Sequence, residues 1–181
     1  MSGGWKKRDP KDQVRLSEDG LTATVILTKG QVAVIDAEDA KMISQNCWHA
    51  APSRGCFYAY RGEFSDNKSI AMHRQIMNAS AGEFVDHANE DTLDNRKSNL
   101  RICTNSQNMA NSSKNRSKGR FPYKGVSLNR QGKYVARIRG GRDRNIHLGV
   151  FVEMEDAARA YDRAAKERYG VFAVLNFPED G

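Results

Sequence analysis

The chain has 181 residues, of which 39% are hydrophobic and 28% charged, and its 29 lysines and arginines against 22 acids leave a net charge of +7. No apolar run approaches the roughly 20 residues a membrane-spanning helix needs, and the N-terminal stretch lacks the apolar core of a signal peptide. A soluble, cytoplasmic protein with no membrane partner is therefore expected. Cys47, Cys56 and Cys103 are odd in number and show no C-x-x-C spacing, which argues against a disulfide framework or a structural zinc site.

Residues 1–20 read as a polar, flexible N-terminus. Residues 21–28 and 31–36 alternate or are β-branched around a Lys29-Gly30 turn, which predicts a hairpin. Asp36 is placed to cap a short helix over 37–43. A strand follows at 56–61, and a strand from Ser69 passes into a short helix, 72–77, that contains His73. Residues 84–87 predict a short strand, 89–94 a turn-rich loop, 99–104 an extended return and 105–111 a helix. The polar, basic segment 112–121 has no hydrophobic periodicity and marks a boundary between a domain at 21–111 and another at 122–178. The second predicts three strands, 123–129, 133–139 and 144–149, with turns at Gln131-Gly132 and Gly140-Gly141. A helix then spans 153–169, its small face set by Ala157, Ala158, Tyr161, Ala164 and Ala165 at helical spacing.

Charge is unevenly divided. Residues 1–112 hold 14 basic and 14 acidic side chains, whereas 113–181 hold 15 basic and 8 acidic. Between Ser113 and Arg144 there are 11 basic residues and one acid, Asp143. Such concentration fits a polyanion partner, most simply nucleic acid, and equally fits a solvated basic surface.

The chemistry concentrates at Asp86-His87, with Asn99 twelve residues beyond the histidine and Asn108 nine beyond that. A neutral imidazole takes a proton from water near neutral pH, which is the role His87 suits. Asp86 is a hard oxygen ligand of the kind Mg²⁺ or Mn²⁺ prefers, and Asn108 offers an amide oxygen. These are the parts needed to hydrolyse a phosphodiester. The run from Met72-His73-Arg74 through Val85-Asp86-His87, Leu93-Asp94-Asn95-Arg96 and Ser98-Asn99-Leu100-Arg101 to Gln107-Asn108 resembles the HNH family of homing-type endonucleases. The resemblance implies a ββα-metal fold around one divalent cation. It implies that Asn108 completes the metal site with Asp86, and that Asn99 braces the loop carrying His87. His73 belongs to the upstream His-Arg pattern, with packing or a phosphate contact expected of it. Asn95, Asn105 and Asn111 stand as neighbouring alternatives for the metal-site register.

In the second domain, Tyr123-Lys-Gly-Val, Gly132-Lys-Tyr-Val-Ala-Arg-Ile-Arg, Ile146-His-Leu-Gly-Val-Phe, Glu155-Asp-Ala-Ala-Arg-Ala-Tyr-Asp-Arg-Ala-Ala and Leu175-Asn-Phe-Pro resemble a plant APETALA2/ethylene-response-factor DNA-binding domain. The resemblance implies a three-stranded antiparallel sheet lying in the DNA major groove and backed by one helix. Strand alternation separates Tyr134, Ala136 and Ile138 from Arg137 and Arg139, and Ile146 and Leu148 from Asn145 and His147. With Lys124, Ser127 and Asn129 on the first strand, these outward residues form the expected DNA-contacting set. Ser127, Asn129, Gln131 and His147 stand where the plant factors carry arginine or tryptophan, so the resemblance implies a docking mode and not a target sequence.

The expectation is an α+β chain: a ββα-metal nuclease module, then a three-stranded antiparallel sheet packed on one helix. Its expected activity is metal-dependent cleavage of double-stranded DNA, with one Mg²⁺ or Mn²⁺, no small-molecule cofactor, and a monomer or homodimer as the working form. The combination looks like a homing endonuclease of phage or intron type, acting in a bacterial or phage-infected cell. The alternatives are a non-catalytic DNA-binding regulator and an RNA-directed protein.

Overall fold

The computed structural model describes residues 9–53, 55–62, 69–111, 121–140 and 144–178. The expected flexibility of residues 1–8 and the expected linker at 112–120 lie outside the described residues, as does Gly141 of the second predicted turn. By its contacts the chain parts into two compact units, Met1–Cys103 and Thr104–Gly181. Both are mixed α and β, built on small antiparallel sheets.

In the first unit, β1 (Val14–Leu16), β2 (Thr22–Ile26) and β3 (Val32–Asp36) form one antiparallel sheet. The predicted hairpin is β2–β3, and its turn places Lys29 and Gly30 at φ 60° and 68°. β1 was not anticipated, so regular structure begins before residue 21. It is joined to the core by buried Gln13, whose amide donates to the carbonyls of Ile26 and Trp48 and whose Oε1 accepts from Trp48 N. The predicted helix over 37–43 is a 3₁₀ turn, Ala37–Asp39, running into α1 (Ala40–Ile43). Asp36 does not cap it. Its carboxylate instead accepts the backbone N–H of Lys97, 61 residues away.

A second sheet orders β4 (His49–Ser53), β5 (Cys56–Gly62) and β6 (Ser69–Ala71). β4 escapes sequence reading because it has no β-branched residue and contains Pro52, tolerated because the strand lies at the sheet edge. α2 (Met72–Ile76) follows, then β7 (Phe84–His87) pairs with β8 (Leu100–Cys103). Ala23, Val25, Ala33, Ile35, Ile43, Trp48, Met72, Val85 and Leu100 share one core, which places the β7–β8 hairpin on the packed interior of the unit.

The second unit opens with α3 (Asn105–Asn111). Thr104 and Gln107 form a reciprocal cap: Gln107 N donates to Thr104 Oγ1, and Thr104 N donates to Gln107 Oε1. β9 (Val126–Leu128), β10 (Tyr134–Arg139) and β11 (Asn145–Phe151) make the sheet, with β10 central, and α4 (Met154–Tyr169) packs on it. Ala157, Ala158 and Ala165 are essentially inaccessible, so small side chains allow the helix a close approach to the strands. Ala110 of α3 shares a cluster with Ile138, Tyr161, Ala165 and Tyr169. Buried Asp162 on α4 accepts the backbone N–H groups of Asn176 and Phe177, and Asn176 in turn bonds both backbone groups of Lys124. These bonds fasten the C-terminal segment across the start of the sheet.

One expectation about the third strand is corrected. A register slip between Ala136 and Arg137 leaves Leu148 against the core but Ile146 substantially exposed, not turned inward. The slip adds one residue on β11, which breaks strict period-2 alternation.

Candidate active site and candidate nucleic-acid interface

Asp86 and His87 are adjacent on β7, so their side chains leave the strand on opposite faces. Both are buried, as are Asp94, Asn95 and Asn99 on the loop that connects β7 to β8. That loop is tied down from several directions. Val34 of β3 exchanges backbone bonds with it, donating to Leu93 O at 2.9 Å and accepting from Asn95 N at 2.7 Å. Thr92 Oγ1 donates to Phe57 O on β5, and Lys97 forms ion pairs with Glu38 and Asp39. Asn99 spans the loop: its Oδ1 accepts from Asn89 N at 3.0 Å and its Nδ2 donates to Asp94 O at 2.8 Å.

Asn95 has the most direct bearing on His87. Its Nδ2 donates to Leu93 O, which orients the amide and leaves Oδ1 facing His87 Nε2 at 3.4 Å. An amide oxygen only accepts, so this contact selects the tautomer with the proton on Nε2 and the lone pair on Nδ1. Burial pushes the His87 pKa down, opposed by the Asn95 contact and by the Asp86, Asp91 and Asp94 charges. The imidazole is thereby kept neutral near physiological pH. Sequence reading offered Asn95 only as an alternative ligand. Its orienting contact arises from β3 pairing with the loop, which no local spacing reveals.

His73 lies on α2 with its ring 5.0 Å from that of His87, edge on, and Tyr58 of β5 contacts both rings. It is a packed wall of the site. Burial is the main cause that lowers its pKa to about 3, with the His87 and Arg74 charges adding to it. An unfolded chain takes up this proton near pH 6.5, before the folded one does. Stability is therefore present above pH 6.5 and is lost as pH falls from there toward about 3. The expected loss is on the order of a few kcal/mol. Urea unfolding followed by tryptophan fluorescence should show it, and His73→Phe should flatten the acid slope. An identical slope in the variant would show that His73 does not titrate on unfolding.

Asp86 stands directly across the hairpin from Arg101, which reaches Oδ2 through both Nε and Nη2 at 2.8 Å. Asn108 is half-buried on α3, in the second unit, whereas Asp86 is in the first. Asn105 and Asn111 bound the same helix. A carboxylate and an amide oxygen are each donor types that the hard cations Mg²⁺ and Mn²⁺ accept.

On the second unit, Arg137 pairs across the sheet with His147, and Arg139 with Asn145; all four are exposed. The other expected contact residues make bonds within the unit. Arg139 also reaches Met109 Sδ, and Lys124 Nζ donates to Ala110 O at 2.5 Å, both on α3. Asn129 Oδ1 accepts from Gln131 N and Lys133 N, which shapes the β9–β10 turn. Ser127 Oγ lies 3.5 Å from Val135 O on the neighbouring strand. Arg137, Asn145 and His147 thus form the compact polar set on the β10–β11 ladder.

A model of the HNH endonuclease family matches residues 73–110, the stretch that contains β7, β8 and nearly all of α2 and α3. Among curated proteins, dehydration-responsive element-binding protein 2E of Arabidopsis thaliana is 43% identical over 67 residues, covering 32% of this chain and 28% of that protein. Dehydration-responsive element-binding protein 2C of the same plant is 50% identical over 60 residues, 32% of this chain and 17% of its own length. The Oryza sativa subsp. japonica protein 2E is 47% identical over 57 residues, 31% of this chain and 18% of that protein. The chain spans less than a third of each of these relatives.

Proposed function

For a chain that joins an HNH nuclease segment to an APETALA2/ethylene-response-factor-type DNA-binding domain, we propose the activity of a metal-dependent, homing-type endonuclease that nicks or cuts double-stranded DNA. The observation that carries this reading is the buried Asp86–His87 pair with Asn95 against His87 Nε2. In that arrangement Nδ1 of a neutral His87 accepts the proton of the attacking water. Asn95 stabilises the resulting imidazolium through the Nε2–H bond, and Asn99 keeps the loop in place. Asp86 would be a ligand to one Mg²⁺ or Mn²⁺, with Asn108 the further ligand that the HNH resemblance implies, and the ion when bound supplies charge stabilisation for the phosphodiester and its leaving oxygen.

The second unit supplies affinity. Arg137, with Asn145 and His147 beside it, offers donors to phosphates and base edges, and attachment in one chain raises the effective concentration of the nuclease near bound duplex. Arg137→Ala should weaken DNA binding and reduce the slope of log affinity against log salt by about one phosphate contact. Equal affinity and slope for wild type and variant would sink docking through this sheet.

The direct test of activity is conversion of supercoiled plasmid, and of phage or host genomic DNA, with Mg²⁺ or Mn²⁺ and with EDTA as control. Relaxed circles that require metal are the expected product of one active site per chain, and linear product would indicate paired sites in a homodimer. Tight binding with no cleavage of any of these DNAs would replace the endonuclease by a DNA-binding regulator.

A further inference from the structure

Arg101 is not among the residues assigned a role by the cleavage chemistry, yet it makes a charged contact with Asp86. The β7–β8 register sets Arg101 opposite Asp86, and both Nε and Nη2 converge on one oxygen, Oδ2, at 2.8 Å. The carboxylate is 7% exposed and the arginine side chain 21% exposed, so solvent screens this pair weakly. Two donors from a planar guanidinium hold Oδ2 in place more firmly than a single hydrogen bond would.

We propose that Arg101 is a positioning residue for the cation site, holding Asp86 in one orientation and limiting how tightly a divalent cation binds there. The inference rests on Asp86 being a cation ligand. A guanidinium and a divalent cation on one buried carboxylate repel each other. Arg101 therefore orients the ligand and weakens the site at the same time. Removing its charge while keeping a hydrogen-bond donor separates the two effects. Arg101→Gln tightens cation binding but leaves Asp86 less well oriented, so cleavage at saturating metal falls.

The test uses the full chain without DNA and reads free Mn²⁺ by electron paramagnetic resonance, with thermal melts to establish folding. Arg101→Gln is expected to bind Mn²⁺ about tenfold more tightly than wild type, while cleaving plasmid more slowly at saturating Mn²⁺. Equal or weaker binding by a folded Arg101→Gln protein overturns the proposal. Arg101→Lys keeps the charge and loses the two-donor fork. It should bind Mn²⁺ within about twofold of wild type and cleave more slowly, and wild-type cleavage by this variant also overturns the proposal. Asp86→Asn is expected to lose Mn²⁺ binding. If it binds as wild type does, the assignment of Asp86 as a ligand is what fails.

Discussion

His87→Ala is expected to lower DNA cleavage by roughly 10³-fold, within the range lost when a general base is removed, while DNA affinity stays within about twofold of wild type. The large effect follows because the neighbouring histidine is a poor substitute base. Among the described residues His87 is the histidine held by an amide oxygen on Nε2, and its ring neighbour His73 is pushed by burial to a pKa of about 3. His73 is a poor substitute, because a base that weak leaves little driving force for taking a proton from water. His87 also packs against Tyr58 and His73, so truncation opens space in the unit. His87→Gln, nearer in size, provides the control. Both variants should lose cleavage and both should bind DNA. If binding is lost together with cleavage in both, His87 holds the fold and is not the base.

Gly125→Ala is expected to destabilise the second unit by roughly 2–4 kcal/mol, the sum of a left-handed backbone forced on alanine and an overpacked core. Gly125 sits at φ +77°, and a Cβ there would lie 2.0 Å from Cδ2 of Tyr161. Tyr161 cannot give way easily, since it belongs to the cluster of Ala110, Ile138, Ala165 and Tyr169. Gly132 provides the internal comparison: it has the same φ, but nothing lies within 4 Å of its Cβ position. Gly132→Ala should therefore show the backbone strain alone, about 1 kcal/mol. Denaturant unfolding of both variants separates the two costs. Equal destabilisation would mean that Tyr161 repacks freely and that the close approach of strand and helix is not rigid.

Much of this molecule can be read locally. The β2–β3 hairpin, the strand–loop–strand–helix order from Phe84 to Asn111, the three-strand sheet and α4 all follow from patterns within a few residues of one another. Alternation, turn residues and helical spacing are short-range signals, and burial of one face makes them consistent. Of the strands that escaped, Val14–Leu16 is short and His49–Ser53 carries no hydrophobic alternation of its own. They exist because a neighbouring strand offers them a ladder.

The candidate site divides in the same way. Asp86, His87, Asn99 and Asn108 are legible from sequence because their order and spacing carry a recognisable pattern, and the +7 charge gathered after residue 112 points independently to a polyanion. Tertiary structure alone decided which partners these side chains have. Asn95 faces His87 because β3 pairs with the loop across some 60 residues of chain, and Arg101 grips Asp86 because of the β7–β8 register. The loss of strict alternation along β11 at Leu148 and the turning of Lys124 toward α3 come likewise from packing. Residue type sets what a side chain can donate or accept, and a linear pattern preserves that. The atom it meets depends on long-range pairing and burial, whose energies are summed over the whole fold.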